Sequence, residues 1–308
     1  MSLASRAIAG ALLLSIAMAA SACSTTTSAT SRQGVVTAVG AENEYANVLS
    51  QIGGQYVQVT AIMSNPNTDP HTFEASPQVA EEVAGAELVI QNGLGYDTFM
   101  NRIEEAAPNA RRKVIDVQSL LGLPDSTPNP HLWYNPTTMP AVANAAAADL
   151  AALDPAHGAL FRANARKFIA SLAPWYTAIA QVKAEFPDAP VATTEPVGDY
   201  MLEAAGTINR TPWPLQADIM NGIDPSPQDV SLQESLFSGH QVRVFLYNQQ
   251  VTDALTGSFL DEAQHDGIPV VGVYETMPTP GYTYQSWMLA EVEALQRALA
   301  DKQSTMRL

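Results

Sequence analysis

The chain has 308 residues and a formal net charge of −16, with 15 Lys and Arg against 31 Asp and Glu. This length suits one large domain or two lobes of ordinary size. The acidic balance excludes a nucleic-acid binder, which needs clustered basic side chains, and a single cysteine, Cys23, excludes an internal disulfide and a cysteine-based zinc site.

Residues 1–22 read as a signal peptide. Arg6 supplies a positive start, and Ile8 to Ala20 is apolar but shorter than the ~20 residues of a membrane-spanning helix. The stretch Ala20-Ser21-Ala22-Cys23 looks like a bacterial lipoprotein cleavage site, with Ala20 where leucine is more usual. Cys23 is then the lipidated N-terminus, and an ordinary secretory signal is the alternative. Residues 23–33 are small and polar and read as a lipidated, flexible tether. A domain held by this anchor on the outer face of the cytoplasmic membrane is the expectation.

The body alternates strand and helix patterns. Val35 to Val39, Val57 to Ala61, Leu88 to Ile90 and Val114 to Val117 read as strands separated by helical stretches. Ser76-Pro77 opens one of these helices as a cap followed by proline in the first turn. Strands recur at Val191 to Thr194, Val242 to Tyr247 and Val270 to Val273, again with helices between them. The pattern predicts an α/β fold of two lobes, each a mainly parallel sheet flanked by helices, at 34–153 and 188–308. Between them, Phe161, Ala165, Phe168, Leu172, Trp175, Ile179, Val182 and Phe186 recur in steps of four and three. That is one apolar face of a long linking helix over 154–187. Pro174 falls inside it and predicts a bend, with two separate helices as the alternative.

Two loops carry the chemistry. Asp69-Pro70-His71-Thr72-Phe73-Glu74-Ala75-Ser76-Pro77 and Asn129-Pro130-His131-Leu132-Trp133-Tyr134-Asn135-Pro136 each put a histidine directly after a proline. Proline fixes its own φ and restricts the preceding residue, so each imidazole sits on a stiff loop. Two of only five histidines in near-copies of one loop suggest a metal site, since neutral imidazole ligates transition metals. The other three, His157, His240 and His265, read as surface residues, while Trp133 and Trp287 read as buried packing, with a place in the cleft wall as the alternative.

These loops resemble the metal-specific, cluster A-I solute-binding proteins of bacterial ABC importers for zinc and manganese. The similarity extends to Asn92-Gly93-Leu94-Gly95-Tyr96-Asp97 after a strand, to Thr194-Glu195 after another, and to the long middle helix. The resemblance implies a single cation between the lobes, held by two residues from each. Matched by position these are His71, His131, Glu195 and Glu275. Glutamate at 275 stands where the family usually has aspartate, and Asn129 also replaces an aspartate. The implied cargo is Zn2+ or Mn2+, with Fe2+ also compatible. The implied partner is the importer's transmembrane permease, met by a monomer that performs no chemistry.

The residues support this match on their own terms. The four positions lie at least 60 residues apart and follow strands, unlike the local spacing of a zinc finger. Open α/β sheets bind ligands beyond the C-terminal ends of their strands. Two imidazoles and two carboxylates also neutralise a dication, and an unpaired buried charge is very costly. Asp69, Asn129 and Asn135 are candidates to orient the imidazoles by hydrogen bonds. A metallohydrolase with a His/His/Glu site is the alternative function.

Overall fold

Among the described residues the strands are short and all eight pair in parallel, so connections must cross over through helices. The computed structural model describes residues 35–67, 69–278 and 280–308. The expected signal peptide, tether and Cys23 lie outside the described residues. In chain order the first half holds β1 (Val36–Glu42), α1 (Asn43–Gly53), β2 (Val57–Met63), α2 (Pro77–Gly85), β3 (Leu88–Gln91), α3 (Thr98–Ala106), β4 (Lys113–Asp116), α4 (Val117–Leu120) and α5 (Thr138–Leu153). α6 (Gly158–Ser171) and α7 (Ala173–Glu185) follow. The second half holds β5 (Pro190–Thr193), α8 (Asp199–Ala204), β6 (Ile208–Asn209), α9 (Trp213–Met220), α10 (Pro227–Ser238), β7 (Val244–Asn248), α11 (Ala254–His265), β8 (Val270–Val273) and α12 (Tyr284–Asp301).

The strands form two sheets, ordered β2-β1-β3-β4 and β6-β5-β7-β8. This is the expected fold class of two parallel-sheet domains flanked by helices. Each sheet repeats one topology, and each has a point where the crossover direction reverses, between β1 and β3 and between β5 and β7. A crevice opens there beyond the strand ends.

The strand sequences explain the layering. Along β7, Val244 and Leu246 face the large core, and Phe245 and Tyr247 face a smaller one lined by Phe237 and Phe259. Alternate residues point to opposite faces, so a strand covered on both sides must be apolar throughout. The large core is continuous. It joins Val39 and Val89 of the first sheet, Phe161 and Trp175 of the central helices, and Val271 and Val273 of the second sheet. The C-terminal tail guards the edge of β8, where Thr305 bridges Val271. A Cβ at Gly272 would collide with the Met306 carbonyl, so only glycine lets the tail lie that close.

The middle segment differs from the expectation of one bent helix. It begins with a 3-10 turn at Pro155–His157 and breaks at Leu172 into α6 and α7. The break puts Pro174 in the first turn of α7, where its missing N–H has no intrahelical partner to lose. The apolar stripe keeps phase across the break, and Phe161, Ala165, Phe168, Leu172, Trp175, Ile179 and Val182 are all buried. Sequence periodicity records the buried face, and the break costs that face nothing. β6 and α9 have no counterpart among the expected elements; β6 spans only two residues, too few for an alternation to register.

Candidate metal centre

The His131 loop fixes its ring by local chemistry. Asn129 Oδ1 accepts from the His131 main-chain N–H at 3.0 Å and lies 2.8 Å from its Nδ1. Asn129 Nδ2 donates to the Pro196 carbonyl at 2.7 Å, so the amide cannot be flipped. Oδ1 is therefore the acceptor, and His131 Nδ1 carries the hydrogen. The neutral ring then presents a lone pair at Nε2. That lone pair faces Glu275 Oε2 at 3.3 Å, and both groups are fully buried. Two acceptors in such contact need a proton or a cation between them.

The first histidine loop is built around a 3-10 turn, Pro70–Thr72. Asp69 Oδ1 accepts from His71 N–H at 2.8 Å and holds the turn. His71 Nε2 reaches the same Glu275 oxygen at 3.1 Å, and its side chain keeps 22% exposure, leaving an approach from solvent. Beside Asp69 and Thr276 lies a cavity of about 210 Å³, also bordered by Phe73 and Pro70. One donor atom from each of His71, His131 and Glu275 lies within 4.8 Å of the others.

A third loop brings a phenol to this point. After β3 the chain runs through positive φ at Gly93 (81°), Leu94 (53°) and Gly95 (79°). Two glycines make that path accessible, and Leu94 carries the strain of a left-handed residue. Asp97 anchors the turn by accepting from the N–H groups of Asn92 (2.6 Å) and Gly93 (3.0 Å). The turn aims Tyr96 so that its hydroxyl donates to Glu275 Oε2 at 2.9 Å. Trp133 closes the floor, edge-on to His131 and Tyr96 with ring centroids 5.4 and 5.1 Å away.

The second sheet contributes from its crevice. Glu195 lies two residues beyond β5 and Asn248 ends β7, the two strands that flank the reversal point. Asn248 Nδ2 donates to Glu195 Oε1 at 2.9 Å and to Glu275 Oε1 at 2.7 Å. Glu195 Oε2 is buried without a hydrogen-bond partner. Such an orphan acceptor in a dry site is costly unless something cationic or protic fills its place.

Electrostatics follow from this packing. Burial pushes the Glu275 carboxyl up, yet the charge and hydrogen bond of His71, with the contact to His131, outweigh it and hold the group well below the usual carboxylate range. Burial lowers His131 more than Glu275 can raise it, so the ring stays neutral and ready to ligate. Burial also opposes charge on His71, but Glu275 and Asp69 prevail and raise it. Burial and then the Glu275 charge push Glu195 well above its ordinary range, against the Asn248 hydrogen bond.

Of the four expected ligands, His71, His131 and Glu275 converge directly, and Glu195 stands one amide away. Of the three expected orienting residues, only Asn129 reaches an imidazole. Asp69 spends its hydrogen bond on the His71 backbone and acts on the ring by charge. Asn135 accepts from the Thr137 N–H and hydroxyl, so it caps a turn and corrects the expectation that it orients a ring. Short polar side chains satisfy the nearest free backbone donors first. His157 pairs with Asp154 at 2.6 Å and stacks on Tyr56, away from the site. Trp133 and Trp287 are both fully buried. Sequence reasoning passed over Tyr96 and Asn248. Tyr96 sits inside a motif already singled out, and Asn248 directly follows the strand predicted at Val242 to Tyr247, which is where a crevice residue belongs.

A family model described as "ZnuA: Zinc-uptake complex component A periplasmic" matches residues 38–298. Among relatives, the manganese-binding lipoprotein MntA of Bacillus subtilis (strain 168) is 26% identical over 132 residues, covering 41% of this chain and 43% of that protein. The iron-binding protein YfeA of Yersinia pestis is 21% identical over 263 residues, 82% of each chain. The solved periplasmic zinc-binding protein TroA of Treponema pallidum superposes with a TM-score of 0.74 at 18% identity, covering 87% of this chain and all of that one. A solute-binding protein from P. aeruginosa, FpvC, solved with Ni2+, gives 0.70 at 20% identity over 89% of this chain and all of that one. At these identities the solved structures speak for the fold. The family match spans most of the chain, which thus belongs to the family of the periplasmic zinc-uptake component ZnuA.

Proposed function

We propose that this protein captures a divalent transition metal ion outside the cytoplasmic membrane and hands it to the permease of an ABC importer. The ion sits among His71 Nε2, His131 Nε2, Glu275 Oε2 and Glu195 Oε2, in a cleft between lobes at 34–153 and 188–308 linked by 154–187. The observation that carries this reading is the buried pair of acceptors, His131 Nε2 and Glu275 Oε2, 3.3 Å apart, with the imidazole tautomer fixed by Asn129. A cation between them turns a repulsive contact into two coordinate bonds. The cargo is Zn2+ or Mn2+; relatives carry zinc-, manganese- and iron-binding names, and this donor set suits all three ions. Processing before Cys23 and lipidation of that cysteine tether a monomer to the membrane surface. The metallohydrolase alternative has no support, because the family is that of an uptake-complex component.

Calorimetric titration of chelator-stripped protein with Zn2+ and Mn2+ tests the proposal. One saturable site is expected, lost in His131→Ala. Parent-like binding by His131→Ala would refute the ligand assignment.

A further inference from the structure

Asn248 is wholly buried and has its amide orientation dictated. Its Oδ1 accepts from the Gln250 N–H at 3.0 Å, a group that can only donate, so Nδ2 must face the carboxylates. The backbone N–H of Asn248 donates to Thr194 Oγ1 at 3.0 Å, which ties the end of β7 to the chain leaving β5. The two hydrogens of Nδ2 match two acceptors, Glu195 Oε1 and Glu275 Oε1. Each carboxylate thus has one oxygen held by Asn248 and one left over. The remaining Glu275 oxygen faces both imidazoles, and the remaining Glu195 oxygen is the orphan described above.

An oxygen that accepts one hydrogen bond keeps a second lone pair, but chelation through both oxygens would require the carboxylate to turn against the Asn248 N–H that fixes its Oε1 in this buried site. A buried N–H left without its acceptor is strongly disfavoured. Asn248 therefore biases each glutamate toward one coordinating oxygen. In the proposed site the donor count is then four, two nitrogens and two oxygens. Zinc is satisfied by four tetrahedral N/O ligands. Manganese suits more numerous oxygen donors at higher coordination number, which bidentate carboxylates would supply.

We infer that Asn248 is a specificity-determining residue: by holding one oxygen of Glu195 and one of Glu275, it keeps both glutamates monodentate and favours four-coordinate zinc over manganese. This rests on the metal-site reading above and adds the preference to it.

The test loads chelator-stripped full-length protein with Co2+, which gives intense visible bands when four-coordinate and weak ones when five- or six-coordinate. The parent is expected to show intense bands at one equivalent. Asn248→Ala is expected to weaken them severalfold and to narrow the zinc-to-manganese affinity ratio, read by competition calorimetry, by roughly tenfold, as for other residues that support metal ligands. Asn248→Ser, with a single donor, serves if the alanine variant does not fold, and is expected to narrow the ratio in the same direction. Weak bands in the parent, or an unchanged ratio in a folded variant, would overturn the role of Asn248 while leaving the site intact. Failure of the parent to bind Co2+ or Zn2+ at all would overturn the site reading as well.

Discussion

The two sheets have the same strand order, yet their crevices are used in opposite ways. At the β1/β3 reversal, Glu42 ends one strand and Asn92 follows the other, and both are buried. Tyr45 donates to Asn92 Oδ1 at 2.7 Å, Asn92 Nδ2 donates to the Pro130 carbonyl at 2.8 Å, and Asp97 takes two backbone N–H groups. Burial, then Asp97 and Glu44, push the Glu42 carboxyl well above its ordinary range, which favours its neutral form. At the β5/β7 reversal, Glu195 is raised in the same manner, and its Oε2, like the Glu42 oxygens, is buried without a hydrogen-bond partner; the difference is that Asn248 bridges its Oε1 to Oε1 of Glu275. A buried acid is therefore not a ligand by virtue of its burial or its shifted pKa. Its neighbours decide the matter, and Glu195 is tied through Asn248 to the carboxylate that both imidazoles face. The first crevice holds the loops that aim Tyr96 and His131, and the second would supply ligands to the proposed cation.

The comparison can be broken most forcefully at the ligands. Glu275→Gln and His131→Ala should each lower zinc affinity by more than the 10- to 100-fold typical of a lost supporting residue, as measured by calorimetry against a competing chelator. Asn129→Ala should fall within that range, because it frees the His131 ring to choose its other tautomer. Asp97→Ala should act on the fold instead. It leaves the buried N–H groups of Asn92 and Gly93 unpaired, at about 1–3 kcal/mol each, and thermal or urea unfolding will show it. Glu42→Gln should change zinc affinity least of all, since an amide is nearly isosteric with the protonated acid. If Glu42→Gln weakens zinc as much as Glu195→Gln does, the distinction between the crevices fails.

Acidity sharpens the same contrast. Burial raises Glu42, Glu44 and Glu195, brings Asp97 to about 6 and brings Glu291 to about 8. Each of these groups keeps a proton in the folded chain that the unfolded chain has already lost above the usual carboxylate range. Folding stability of the metal-free protein should therefore decline as pH rises from about 5, through 6, toward 8. Thermal melts of chelator-stripped protein across that range will check the slope, and Glu291→Gln should flatten its upper end. Zinc should bind with proton release from Glu195 and His71, both raised in the free protein, and let go of the ion in mild acid. Calorimetry in buffers of different ionisation enthalpy counts those protons.

Much of this was legible in the sequence because proline, glycine and strand ends leave strong local marks. The Pro-His loops, Ser76 as a cap and the apolar stripe from Phe161 to Val182 all follow from short-range rules. The break at Leu172 was obscured because both helices bury the same face in phase. Asn248 was missed because its role depends on β5 and β7 lying side by side, a non-local pairing that periodicity does not report. Asn135 was over-read for the reverse reason: its backbone neighbours at Thr137 were nearer than any imidazole. Glu275, the weakest expectation among the ligands, proves to be the residue on which both histidines and Tyr96 converge.

Anomalous diffraction from crystals of the zinc-loaded protein addresses the central claim most directly. The account predicts one strong peak about 2.0–2.1 Å from Nε2 of both His71 and His131 and about 2.0–2.2 Å from one oxygen each of Glu275 and Glu195. A peak elsewhere on the molecule, with the two imidazoles still packed against Glu275, would contradict it.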